Sequence, residues 1–119
     1  MRYFTIDEFR CKHCGALPEG GMSNVLLEKL DELRANIGHP IYVSSGYRCP
    51  HHNRVVGGVP NSQHVLGTAA DIICNAVTVS RLAEEARKVG FDGLGVYYYD
   101  GFCHVDCRDN AESIGEYNW

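Results

Sequence analysis

The sequence predicts an α+β fold over residues 1–119: a small, mainly antiparallel sheet with flanking helices, in one domain. Three observations predict it. Two segments carry apolar residues at helical spacing, each opened by a Ser or Thr and closed by a glycine. Two short β-type runs, "IYVSS" (41–45) and "TAADIIC" (68–74), are joined by a loop. Two further runs, "LGVYYY" (94–99) and "FCHVDC" (102–107), flank Asp100-Gly101, a dipeptide that strongly marks a hairpin.

Taken in order, "TIDE" (5–8) has the residue types of a capping box and opens a short helical turn. "CKHCGALPEGG" reads as irregular loop. Ser23 caps the first long helix, which turns Leu26, Leu27, Leu30, Leu33 and Ile37 inward and stops at Gly38, before Pro40. "GYRCPHHNRVVGG" begins with a turn, takes a helical turn after Pro50 and ends at Gly57-Gly58. The 68–74 run is mostly apolar and reads as a buried strand. Thr78 or Ser80 starts a second helix with Leu82, Ala83, Ala86 and Val89 inward, and Gly90 ends it. The polar tail after Asp109 is expected to stay loose until Tyr117 or Trp119 docks.

A chain of 119 residues can bury ~65% of its unfolded surface, so a true core is expected. Apolar residues at 45% and charged residues at 22% are the balance of a soluble globular protein. With a net charge of -4 and no Lys/Arg run, a nucleic-acid partner has no electrostatic support. No apolar run approaches the ~20 residues of a membrane helix. "MRYFTIDEFRCKHCG" has no apolar stretch of the kind a signal peptide needs, so work outside a cytoplasm would require release by another agent. A monomer is the expected state.

The hairpin sets out the chemistry. A two-residue Asp100-Gly101 loop pairs Tyr99 with Phe102, Tyr97 with His104 and Gly95 with Asp106. His104 and Asp106 then share a face and can point at one site, while Cys103, Val105 and Cys107 turn toward the core. His64 precedes a turn at Gly67, and Asp71 lies on the strand that follows. If that strand neighbours the hairpin, His64, Asp71 and His104 converge. Two imidazoles and a carboxylate with an open fourth position make a catalytic-type zinc site, which acidifies water and polarises a carbonyl. Taken singly, each pair is ordinary, and Asp100 is the residue an Asp-Gly turn wants.

A longer pattern carries more. "SSGYRCPHHNRVVGGVPNSQHVLGTAADI" followed by "GVYYYDGFCHVDCR" resembles the zinc D-Ala-D-Ala carboxypeptidase family, especially its small phage and murein-hydrolase branch. The Hedgehog signalling domain shares that fold. The resemblance covers residues 41–108 and implies that His64, Asp71 and His104 bind zinc. It implies that Arg48, in SGYR, contacts substrate and polarises the scissile carbonyl, a task suited to a fork-shaped, permanent cation. Ser62 and Tyr97 are the further expected substrate-binding residues, and His52 and Asn53 read as fixing the loop that carries Arg48. Several family members place a Glu or Asp as general base three residues before the last zinc histidine, where this chain has Gly101. Asp106, either as the base or as a hydrogen-bonding partner that supports His104, and after it Asp100 are the candidate substitutes.

The implied activity is zinc-dependent hydrolysis of an amide bond in peptidoglycan peptides, by a D,D-carboxypeptidase or endopeptidase of endolysin type, borne by a phage or prophage and released to the cell wall. The alternative is a weak or inactive zinc-containing module of the same fold that binds wall or partner, which Gly101 favours. A non-haem iron oxygenase built on His104 and Asp106 would need a further histidine, and none follows His104.

Six cysteines without a secretory signal do not predict a disulfide framework. Cys11 and Cys14 have the spacing of a zinc knuckle or a disulfide, with Cys49 the better third ligand because it lies in a loop. Cys74, Cys103 and Cys107 read as small buried apolar residues.

Overall fold

The computed structural model describes residues 1–108 and 113–114. Five strands, β1 (Tyr42–Ser45), β2 (Ala69–Ile73), β3 (Gly93–Tyr97), β4 (Phe102–Asp106) and β5 (Ser113–Ile114), form one sheet in the order β1-β2-β4-β3-β5. The first four pair antiparallel with one another, and β5 runs parallel to β3. The helices are α1 (Asn24–Ile37), α2 (Pro50–Val55), α3 (Gln63–Leu66) and α4 (Val79–Val89), preceded by a 3₁₀ turn over Ile6–Phe9.

Local chemistry explains the long helices. Ser23 Oγ accepts the Leu26 N–H at 3.3 Å, and Gly38 takes the left-handed conformation that ends α1. Thr78 Oγ1 caps α4 by accepting the Arg81 N–H at 3.1 Å. Leu26, Leu30 and Leu33 of α1 and Leu82 and Ala86 of α4 are buried against one face of the sheet, which supplies Ala70, Ile72, Leu94, Val96, Cys103 and Val105. Truncating Leu30 to alanine there should cost ~2–5 kcal/mol. Side chains alternate along each strand, so the opposite face carries Ala69 and Asp71 of β2, His104 and Asp106 of β4, and Gly93, Gly95 and Tyr97 of β3. The core face fixes the sheet and thereby the polar face.

Three local expectations are corrected. The hairpin loop has four residues, 98–101, not two: the Gly101 N–H donates to Tyr97 O at 2.8 Å, and Gly101 has φ 75. Tyr97 therefore pairs with Phe102, Gly95 with His104 and Gly93 with Asp106. The two-residue shift keeps every side chain on its expected face, because the pleat has a period of two. Its reward is a stacked pair, with Tyr97 and Phe102 ring centroids 4.3 Å apart. His64 is also not in a plain loop but on the one-turn helix α3. The tail contributes β5, whereas Tyr117 and Trp119 lie outside the described residues.

Candidate metal centre

Asp71 and His104 face each other directly across β2 and β4. His64 reaches them from α3, whose Ser62 Oγ accepts the His64 N–H at 3.2 Å and whose last turn closes at Gly67. The three ligand-type atoms form a nearly equilateral triangle. His64 Nε2 to Asp71 Oδ1, His104 Nδ1 to Asp71 Oδ1 and His104 Nδ1 to His64 Nε2 are each 3.2 Å.

The outer nitrogens decide what that triangle is. His64 Nδ1 lies 2.8 Å from the Gly46 carbonyl oxygen, which only accepts, so Nδ1 carries the proton. His104 Nε2 lies 2.7 Å from Asp106 Oδ2, again an acceptor, so this nitrogen too carries its proton. With the outer nitrogens so used, His64 Nε2 and His104 Nδ1 are the nitrogens left to offer lone pairs to the centre, beside a carboxylate oxygen. Both imidazoles are completely buried. Burial holds His64 below the ordinary histidine range despite its contact with Asp71. Burial alone would raise the Asp71 carboxyl, but its contacts with His104 and His64 take it far below the carboxylate range. Three converging lone pairs suit a cation. For zinc, bonds of ~2.0–2.1 Å to nitrogen or oxygen give a tetrahedral edge of ~3.3 Å, close to the observed triangle.

Behind the triangle, Asp106 is fully buried and binds Arg108 through both oxygens, at 2.9 Å from Nε and 2.6 Å from Nη2. Burial opposes its ionisation, yet the bonds from His104 and Arg108 bring its pKa down to about 2. Gly93, its cross-strand partner, makes room: a Cβ there would collide with the Asp106 carboxylate. In front, a cavity of about 370 Å³ is lined by Lys12, Ser44, Ser45, Arg48, His52, Val56, Asp71, Tyr97 and Phe102. Arg48 is 8% exposed, with Nη1 donating to Asn53 Oδ1 at 2.9 Å and Nη2 3.9 Å from Asp71 Oδ2. Asn53 Nδ2 in turn donates to Val59 O at 2.7 Å. Gly58 packs on this pair, since a Cβ there would lie 2.6 Å from Arg48 Nη1.

The sequence-predicted residues thus divide. His64, Asp71 and His104 come together as one group, Asp71 lines a cavity with Arg48 and Tyr97, and Asn53 anchors Arg48. Ser62 is 1% exposed and caps α3 rather than lining the cavity. Asp106 does not point into the site beside His104 but sits behind it, its carboxylate taken up by His104 and Arg108. Asp100 is exposed in the hairpin loop and is not among the cavity-lining residues. Sequence reasoning missed Arg108, Gly93, Gly58 and the Gly46 carbonyl. Arg108 had a signal: it lies two residues beyond Asp106, on the same side of an extended chain.

A family model for peptidase M15 matches residues 2–106. The zinc D-Ala-D-Ala carboxypeptidase of Streptomyces albus G is 40% identical over 85 residues, covering 68% of this chain and 33% of that protein. The chain therefore spans a third of the length of this relative. The family match runs from the 3₁₀ turn through β4 and takes in the triangle, Arg48, Asn53 and Asp106, leaving only Arg108 outside. On that span, the chain belongs to the peptidase M15 family.

Proposed function

We propose that the chain is a zinc-dependent peptidase that hydrolyses an amide bond in peptidoglycan peptides, as a D,D-carboxypeptidase or an endopeptidase. The observation that carries this reading is the 3.2 Å triangle of ligand-type atoms whose Asp71 lines the same cavity as Arg48. His64 Nε2, Asp71 Oδ1 and His104 Nδ1 would hold the metal. Zinc, when bound, supplies Lewis acidity toward a carbonyl oxygen and acidifies water. Arg48, clamped by Asn53 and largely out of water, takes the negative charge that grows on the carbonyl oxygen without having to reorganise. The stacked Tyr97–Phe102 pair forms an apolar wall for the substrate. A cavity of about 370 Å³ suits one short peptide end, near the lower limit of ~300–1,000 Å³ for small-ligand sites.

Proton transfer is assigned to His52, which lines the cavity and titrates near neutrality when unperturbed. Desolvation, and then the nearby His13, Arg48 and His51, bias it further toward the neutral, proton-accepting form. An endolysin-type, phage-borne setting with action on the cell wall as a monomer accompanies this reading, supported by the resemblance of residues 41–108 to the small murein-hydrolase branch. The second reading, a zinc-containing binding module, is favoured by Gly101 and by the lack of any carboxylate but Asp71 along the described cavity. A digest of purified peptidoglycan separates the two. With chelator and zinc add-back, mass spectrometry should show a chelator-sensitive fragment whose mass names the bond. A folded, zinc-loaded protein that releases nothing but still binds wall would establish the module.

A further inference from the structure

We infer that Cys11, Cys14 and Cys49 form a second, structural zinc site, separate from the His64–Asp71–His104 centre. Their sulfur atoms all lie within 4.8 Å of one another, although 34 or more residues lie between Cys49 and the other two. Zinc–sulfur bonds of ~2.3 Å place tetrahedral sulfurs ~3.8 Å apart, so only a small inward adjustment is needed. The chain around the sulfurs is built for this. Cys11 and Cys14 sit on a tight turn closed by Gly15 N–H to Cys11 O at 2.8 Å and Cys11 N–H to Ala16 O at 2.9 Å. The backbone N–H of Cys49 donates to Cys11 Sγ and that of His52 donates to Cys49 Sγ, each at 3.4 Å. Such N–H bonds orient thiolate ligands and favour their charged form.

The other readings account for less. A disulfide would use two of the three sulfurs and leave the third beside it. Burial in an apolar core does not apply either, because Cys14 is exposed and Cys49 half-buried, unlike Cys74 and Cys103. Among the described residues no imidazole nitrogen joins the three sulfurs within 4.8 Å, so the fourth position is left to solvent or to a movement of His13, which is exposed and lies between Cys11 and Cys14 in the chain. The site joins two walls of the catalytic cavity. Lys12 lies between two of the cysteines, Cys49 directly follows Arg48, and Lys12, Arg48 and His52 all line that cavity.

Metal counting on reduced protein tests this. Wild type should carry two zinc ions per chain, Cys14→Ser one and His104→Ala one. Cobalt-loaded wild type and His104→Ala should both show thiolate-to-cobalt charge-transfer absorption, and Cys14→Ser should lose it. If Cys14→Ser fails to fold, the wild-type and His104→Ala spectra decide. One metal per chain with no charge-transfer band overturns the inference, as does an intact mass lighter by two hydrogens from a Cys11–Cys14 disulfide in protein purified without oxidant. The metal count does not depend on hydrolysis, so failure of the peptidase reading would leave this result standing.

Discussion

His104 and Asp106 stand two residues apart on β4 and meet through the side of the imidazole that faces away from the metal centre. Nε2 of His104 donates to Asp106 Oδ2 at 2.7 Å, while Nδ1 of the same ring faces His64 and Asp71 at 3.2 Å. The carboxylate therefore sets the tautomer and orientation of a ligand-type histidine and raises its basicity. Arg108 keeps that carboxylate ionised and fixed from the other side.

The first prediction follows from this geometry. Asp106→Asn keeps an acceptor for His104 but loses the charge and the Arg108 pairing. Zinc affinity should fall ~10–100-fold, as measured by competition with a chromogenic chelator. Turnover should largely recover at saturating zinc. Turnover that stays abolished with the metal fully loaded would make Asp106 a proton carrier after all.

The relation between His104 and Asp106 also marks how far the sequence could be read. The long helices were legible because Ser23, Thr78, Gly38 and Gly90 punctuate clear apolar periods. The shared face of Asp71, His104 and Tyr97 was legible because alternation survives any even shift of register. The direction of Asp106 was not. Two side chains on one face of a strand can converge or turn apart, and here the empty space over Gly93 and the cation of Arg108 draw the carboxylate away from the cavity. Ser62 was misplaced for a related reason: serine before a short helix is as good a cap as a ligand, and α3 is too short for periodicity to reveal. The hairpin register depended on Tyr97–Phe102 stacking, which outweighed the local preference of Asp-Gly for a two-residue loop.

Arg48 supports a second prediction. Arg48→Lys keeps a positive charge but loses the forked geometry and the 2.9 Å bond to Asn53. Zinc content should be unchanged, while kcat should fall ~10²–10³-fold, the scale of losing one donor to a developing oxyanion. Steady-state kinetics with metal analysis on the same sample checks both halves. A rise in KM with kcat intact would instead limit Arg48 to ground-state binding.

Gly93 gives a stability prediction. A methyl group there meets the Asp106 carboxylate, so Gly93→Ala should destabilise by ~1–3 kcal/mol, the usual range for overpacking. In an Asp106→Ala background most of that penalty should vanish, because the obstructing group is gone. Urea melts of the four variants close the cycle. Additive losses would show that the clash is relieved elsewhere.

The pH dependence of the metal-free protein can be given a sign. His64 is held below its unfolded value by burial. Its contribution is complete above the unfolded value of ~6.5 and is lost as pH falls through its folded value, since only the unfolded chain readily takes the proton. Asp106 adds a second step, present above its unfolded value of 3.8 and lost as pH falls through about 2. Asp71 acts in the same direction. Denaturant midpoints measured from pH 8 downward should be flat at first and then fall in these two windows. Asp106→Asn should flatten the lower one. Stability that rises on acidification would contradict both assignments.

The proton carrier itself is the last test. If His52 accepts the proton, His52→Ala should lower kcat ~10²–10⁴-fold, the typical worth of a general base, with zinc retained. Because burial and then the neighbouring His13, Arg48 and His51 push His52 down, the acidic limb of kcat/KM in the parent protein should lie below the ordinary histidine value of ~6.5. Activity should rise as pH rises through it. Asp100→Asn should change neither limb nor rate by more than about twofold, since a carboxylate exposed in the 98–101 loop and absent from the cavity lining has no path to the reacting carbonyl. Should the two variants behave the other way round, the hairpin loop must fold over the cavity when substrate binds, bringing Asp100 next to the position where Gly101 leaves no carboxylate.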